Sequence, residues 1–162
     1  MELQNNESKI LVVDDEAFNI LVIKGLMRVL GMKNIESRVD CCYNGEQLVE
    51  HVQRAVDEGD PYRYSLILTD CMMPFMDGYE AVKRVRAILK HYTSKKVSII
   101  AVTGHVEKEY IAKAQKCGMD TVYTKPLRII DLGQRLIDLK FIKELPPHLL
   151  IDESWSVQIQ LL

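Results

Sequence analysis

Residues 66–78 read LILTDCMMPFMDG. Leu66, Ile67 and Leu68 are aliphatic, and after Thr69 the run stops at a carboxylate, Asp70. Pro74 and the pair Asp77-Gly78 then turn the chain. A short apolar run bounded by turn residues fits a strand covered on both faces. A carboxylate at the tip of such a strand carries meaning only if other chemistry meets it in space.

Nearer the amino terminus, Ile10–Val13 is a β-rich run that ends at Asp14-Asp15. Phe18, Leu21, Val22, Gly25, Leu26, Val29 and Leu30 recur at three- and four-residue spacing, which predicts a helix stopped by Gly31. A second strand is expected over Arg38–Cys42. Leu48, Val49, Val52 and Val56 mark a second helix, and Tyr79, Val82, Val85, Arg86 and Leu89 a third. Val97–Val102 (VSIIAV) is a nearly unbroken apolar strand ending at Thr103-Gly104. Tyr110, Ile111 and Ala114 give a fourth helix up to Gly118. Thr121–Thr124 is a fifth strand, broken by Lys125-Pro126, and Leu127, Ile130, Leu132, Leu136 and Leu139 predict a fifth helix.

Strand and helix thus alternate five times, the pattern of a doubly wound α/β fold with a parallel sheet and helices on both faces. Right-handed crossovers leave few topologies. In such sheets, ligands bind at the carboxyl ends of the strands, where the strand order reverses. There the sequence places Asp14 and Asp15 (first strand), Asp70 (third), Thr103 (fourth) and Lys125 (fifth). Singly, each has a plainer reading: an Asp pair caps helices, and Thr-Gly and Lys-Pro make turns. Together they put three carboxylates and one ammonium on one edge. Like charges a few ångströms apart in a partly dry cleft repel by several kcal/mol. A divalent hard cation with oxygen ligands offsets that, and magnesium commonly binds one or two carboxylates together with a phosphate and waters. An Asp70 oxygen could then attack a phosphoryl group, with Lys125 and Thr103 holding the phosphoryl oxygens.

The bulk numbers agree with a modest single domain. The chain has 162 residues, 48% hydrophobic and 27% charged, with a formal net charge of −2. No basic run favours nucleic acid or an anionic membrane, and no apolar run approaches the ~18 residues of a membrane span. Cys41, Cys42, Cys71 and Cys117 lack zinc-ligand spacing, and the amino terminus lacks a signal-peptide pattern. The expectation is a cytoplasmic protein with reduced, mostly buried thiols.

The stretches VVDDE (12–16), LTDCMMPFMDG (68–78), AVTG (101–104) and TKP (124–126) resemble those of response-regulator receiver domains, over about Lys9 to Leu139. The resemblance implies a flavodoxin-like five-stranded sheet of order 2-1-3-4-5. It implies a signalling module rather than an enzyme, in which Asp70 accepts a phosphoryl group from a phosphohistidine. Asp15 and Asp70 would bind Mg2+ directly with the backbone carbonyl of Met72, and Asp14 mainly through water. Thr103 and Lys125 would contact the phosphoryl group. CMMPFMDG, and DDEAFN with its Asn19, are similar to receivers of hybrid histidine kinases and phosphorelays, so a histidine kinase or phosphotransfer domain is the implied donor. It would dock near the first helix, with Phe18 or Ile20 as exposed apolar contacts.

Two positions depart from the family. The usual aromatic three residues before the lysine is Val122 here, with Tyr123 next to it. Met72, two residues past the acceptor, cannot hydrogen-bond an attacking water, so slow self-dephosphorylation is expected unless His105 positions that water. Cys71 reads as a buried thiol rather than a redox group. Met72, Met73 and Met76 read as loop packing, and Lys83, Arg84, Arg86 and Lys90 as a solvated helix face.

The expected organisation is a leader over 1–8, a receiver domain over 9–139 and an extension over 140–162. Pro146-Pro147 is expected to halt the fifth helix. From Trp155 to Leu161, apolar and polar residues alternate, as in a strand that could join a sheet edge, its own or that of a second copy in a homodimer, or equally as a frayed tail. The rival readings are a haloacid-dehalogenase-type phosphatase, which would need an Asp-x-Asp on the first strand, and a receiver-like module that is never phosphorylated. The sequence leaves open whether the chain stands alone or belongs to a membrane-bound hybrid kinase.

Overall fold

A computed structural model of the chain describes residues 8–150. Five strands, β1 (Lys9–Val13), β2 (Val39–Cys42), β3 (Tyr64–Thr69), β4 (Ser98–Thr103) and β5 (Thr121–Thr124), pair in parallel in the order β2-β1-β3-β4-β5. Order reverses at β1 and β3, so the ends of these two strands open onto the crevice where ligands bind in this topology.

The strands build two cores because alternate residues face opposite ways. Leu11, Val13, Ile67, Ile99 and Ala101 pack under α3 (Gly45–Asp57), α4 (Gly78–Leu89) and α5 (Lys108–Cys117). Ile10, Val12, Leu66, Leu68, Ile100 and Val102 pack under α1 (Ala17–Val29), α2 (Ile35–Arg38) and α6 (Ile129–Asp138). Each fully buried aliphatic side chain stabilises the fold by about 1.5–3 kcal/mol, so the middle of the sheet is its firmest part. Among the described residues, no helix is long and apolar enough to cross a membrane.

Several expectations shift. The first helix is present, but its buried stripe is Ile20, Ile23, Leu26, Met27 and Leu30. Phe18, Leu21 and Val29 face outward. Ile20 is therefore core and not an exposed contact: the buried face keeps Leu26 and Leu30 but is turned partway round the helix from the stripe the spacing suggested. The short α2 was not expected from the sequence; its single turn shows no helical period. The last helix ends before the prolines: Lys140 adopts a left-handed conformation (φ 63°), and Phe141 N–H returns to Leu136 O at 2.8 Å. Phe141 is then buried, with Ile142, Leu145 and Leu149 packed on the same core. Residues 155–161, with their alternating pattern, lie outside the described residues.

Arg86 is not part of a solvated face. Its nitrogens donate to Gly118 O, Val97 O and Asp120 Oδ2, each at 2.9 Å, tying α4 to the amino ends of β4 and β5. Gly118 (φ 104°) permits this, since a Cβ there would lie 2.8 Å from Arg86 Cγ.

Candidate functional site

Backbone hydrogen bonds fix the acidic residues at the carboxyl edge. Asp70 N–H donates to Val13 O at 2.9 Å and Asp14 N–H to Cys42 O at 3.2 Å, extending the ladder just past the strands. Lys125 N–H donates to Thr103 O at 2.9 Å, so β5 delivers the lysine beside β4.

The loop after Asp70 is seated on two glycines. A Cβ at Gly78 would lie 2.1 Å from Asp70 O, and one at Gly45 would lie 2.5 Å from Met76 O. In each case the obstacle is backbone, which cannot rotate away. Gly78 N–H donates to Cys71 O at 2.9 Å, and Asp77 caps α4 by accepting from Glu80 N–H at 2.8 Å. Asp77-Gly78 reads as a turn in the sequence; in the fold it is also the clamp that sets the height of Asp70.

The side chains then converge. Lys125 Nζ donates to Asp14 Oδ2 and Asp70 Oδ2, both at 2.8 Å. Burial works against the Lys125 charge, but the two carboxylates outweigh it and raise the ammonium above its ordinary value. Asp70 Oδ1 also accepts from Met72 N–H at 3.2 Å. The Asp70 side chain is 12% exposed, so it is neither walled off nor loose. Asp14 is 3% exposed and heavily bonded: Glu16 N–H at 2.9 Å, Asn19 Nδ2 at 3.1 Å to both oxygens, and Lys125. Asp15 is exposed.

Asp14, Asp15 and Asp70 each offer an oxygen, and these atoms all lie within 4.8 Å of one another. Three carboxylates against one ammonium leave about two negative charges. Oxygen donors, a deficit of two charges and an open side suit a hard divalent cation such as magnesium. The donor set fits it.

Thr103 is buried, and its Oγ1 accepts from His105 N–H at 3.2 Å. The His105 ring leans on Tyr110, with centroids 4.9 Å apart. The buried Cys71 thiol sits against the Tyr79 hydroxyl and Thr103, and burial pushes it up to about 11, so it packs as a small apolar group. Met73 and Met76 are buried in the core under α3 and α4, whereas Met72 is half exposed. Val122 packs toward α5, and Tyr123 packs on the opposite core, where its hydroxyl donates to Asp131 O at 3.3 Å. The ring of Tyr123 thus lies on the other side of the sheet from Val122. The bond of Asn19 to Asp14 was not legible in the sequence, because motif spacing does not say what a side chain touches.

Exposed apolar side chains lie on the segments that follow β1, β3 and β4. Phe18, Leu21, Met72 and Val106 are each more than half exposed, and Phe75 is 94% exposed at φ 69°.

Comparison with known proteins agrees with this geometry. The family model described as the response regulator receiver domain matches residues 10–137. The hybrid signal transduction histidine kinase L of Dictyostelium discoideum is 32% identical over 126 residues, covering 78% of this chain and 7% of that protein. The osmosensing histidine protein kinase SLN1 of Saccharomyces cerevisiae is 32% identical over 120 residues, 74% of this chain and 9% of that one. The chain thus spans under a tenth of the length of these two curated relatives. The receiver domain of the histidine kinase CKI1 from Arabidopsis thaliana, solved in complex with Mg2+ and BeF3−, superposes with a TM-score of 0.67 at 31% identity, covering 82% of this chain and 90% of that one. Alternating β and α segments, the 2-1-3-4-5 sheet and the acid-lysine edge therefore have one common explanation: the chain belongs to the response regulator receiver domain family.

Proposed function

We propose that the chain works as the phospho-accepting step of a histidine-to-aspartate relay, with Asp70 as the acceptor. The observation that carries this is the shared Lys125, whose ammonium touches Asp70 and Asp14 at 2.8 Å beside an open cluster of carboxylates. An Asp70 carboxylate oxygen forms the new bond to phosphorus. The phosphorus–nitrogen bond of a phosphohistidine breaks, and the imidazole keeps the electron pair. Lys125 Nζ, held by Asp14 and Asp70, can swing from Asp14 toward the incoming group and donate to a phosphoryl oxygen while keeping Asp70. Thr103 Oγ1 already accepts from His105 N–H, which leaves its own proton to donate to another.

Asp15 and Asp70, with the backbone carbonyl of Met72, would hold Mg2+, and Asp14 would act through water because its oxygens already serve Glu16, Asn19 and Lys125. When bound, magnesium supplies positive charge that offsets the carboxylates and the incoming phosphoryl oxygens. The CKI1 receiver, a relative at 31% identity, is described with Mg2+ and BeF3−, which supports this assignment.

The donor is a histidine kinase or phosphotransfer domain on the cytoplasmic side of a relay, docking on the exposed apolar side chains of Phe18, Leu21 and Phe75. Kinase relatives support that partner. Incubation with Mg2+ and a small phosphodonor, followed by intact mass, tests the proposal. The expected result is a mass gain of one phosphoryl group, absent in Asp70→Asn and persisting for minutes because Met72 cannot orient water. No adduct from any donor, a phosphotransfer domain included, would leave an unphosphorylated interaction module as the better reading.

A further inference from the structure

We infer that Asn19 is a positioning residue for phosphoryl uptake: it holds the Asp14 carboxylate so that Lys125 can turn to the incoming group. The inference rests on Asp70 being the phosphoacceptor and adds a part to that reaction.

Asp14 and Asp70 share one ammonium, at 2.8 Å each. Any shift of Nζ toward a phosphoryl oxygen lengthens its bond to Asp14 Oδ2. Asp14 is 3% exposed, so bulk water reaches it poorly, and a buried carboxylate that loses a charged partner is costly to leave unsatisfied. Glu16 N–H serves only Oδ1. The Asn19 amide reaches both Oδ1 and Oδ2 at 3.1 Å. Only its NH2 end can face a carboxylate, because both carboxylate oxygens are acceptors. It therefore already lies on the oxygen that Lys125 would release.

The backbone placement suits this work. Asn19 is half-buried in the first turn of α1, five residues after Asp14, and its own N–H is spent on Glu16 O at 3.0 Å. The turn is anchored from below by the buried Ile20 and Ile23. The amide is thus carried on a rigid element rather than on a loop, and a neutral donor offsets Asp14 without adding a charge that would compete for the phosphoryl oxygens. Without it, Asp14 would depend more heavily on Lys125 and hold it back.

Beryllofluoride, a stand-in for the phosphoryl group, tests this by titration calorimetry at saturating Mg2+, with Mg2+ affinity measured alone in parallel. Asn19→Ala is expected to weaken beryllofluoride binding about tenfold while Mg2+ affinity stays within twofold. Asn19→Gln, which restores the NH2 donors on a longer arm, is expected to recover most of the loss. If the alanine variant has no melting transition, Asn19→Ser takes its place with an intermediate loss. Unchanged beryllofluoride affinity, an equal fall in Mg2+ affinity, or a glutamine variant as weak as alanine would each overturn the role. A wild-type protein that binds no beryllofluoride with Mg2+ would instead overturn the phosphoacceptor reading, and this role with it.

Discussion

Both ends of the sheet hold carboxylates among cations, and the two clusters are built on opposite terms. At the amino ends, Asp120 meets Arg86 and Lys96 and also accepts from Ile99 N–H at 2.9 Å. One negative charge faces two positive ones, and the other Arg86 nitrogens are spent on the carbonyls of Gly118 and Val97. At the carboxyl ends, among the described residues, three carboxylates gather around Lys125. The first cluster has its charges and hydrogen bonds closed within the chain, so it works as a brace. The second retains about two uncompensated negative charges beside solvent, an arrangement that stabilises the fold less than its bond count suggests but leaves room for a cation and a phosphoryl group. The glycines follow the same division. Gly118 makes way for an arginine stem, whereas Gly78 makes way for the backbone of Asp70 itself.

Breaking the brace gives the largest expected effect. Arg86→Ala removes three hydrogen bonds and leaves Asp120 with only Lys96 and Ile99 N–H, so unfolding stability should fall by about 3 kcal/mol. Urea denaturation measures it, and phosphoryl uptake in the cold should survive. If uptake fell while stability held, the division between the two ends would be wrong.

Acid acts on the same brace. Burial works against the charge of Asp120, but its bonds to Lys96 and Ile99 N–H and the Arg86 charge outweigh it and hold the carboxyl below the usual range. A depressed folded-state value means that the stabilisation is complete above the unfolded value of about 3.9 and is lost as pH falls through the lower, folded one. Urea midpoints should therefore decline below about pH 4, with a shallower decline in Asp120→Asn. Equal slopes would show that Asp120 is not the group responsible.

At the other end the expected sign reverses. Without metal, Asp70→Asn should raise the thermal midpoint by a few degrees, on the order of 1 kcal/mol, because it relieves repulsion among the carboxylates. Mg2+ should raise the wild-type midpoint and do much less for the variant. A variant less stable than wild type in the absence of metal would mean that the carboxyl edge is as closed as the amino edge. The smallest effect is expected at Phe75. It stands 94% exposed in a left-handed conformation that favours glycine, so Phe75→Gly should gain at most about 1 kcal/mol. Transfer from a phosphotransfer donor should slow, while labelling by a small phosphodonor should not. Transfer unaffected by the change would remove Phe75 from the docking surface.

Much of this was legible in the residue pattern because it depends on period and local punctuation. Val97–Val102, nearly all apolar, foretold β4, in which every residue from Ser98 to Thr103 is buried. Thr121–Thr124 matched β5, and Gly118 ended α5. Asp14, Asp15, Asp70, Thr103 and Lys125 could be placed on one edge because each follows a strand, and parallel strands end on the same side. Which face of α1 is buried was not legible, since aliphatic residues ring that helix nearly all round. Arg86 was misread because sequence spacing does not show that a helix ends over two strand termini.

Residue order carried the alternation of strand and helix, the acids and lysine that cap the strands, and the family to which they point. Who shares whom depends on the folded chain: that one ammonium serves two carboxylates and that Asn19 reaches the inner one, whereas the opposite facing of Val122 and Tyr123 follows from strand alternation. The reason is physical. Strand and helix tendencies are set by neighbours a few residues apart, whereas Lys125 and Asp14 are 111 residues apart along the chain and meet only because burial of both faces of the sheet fixes the register.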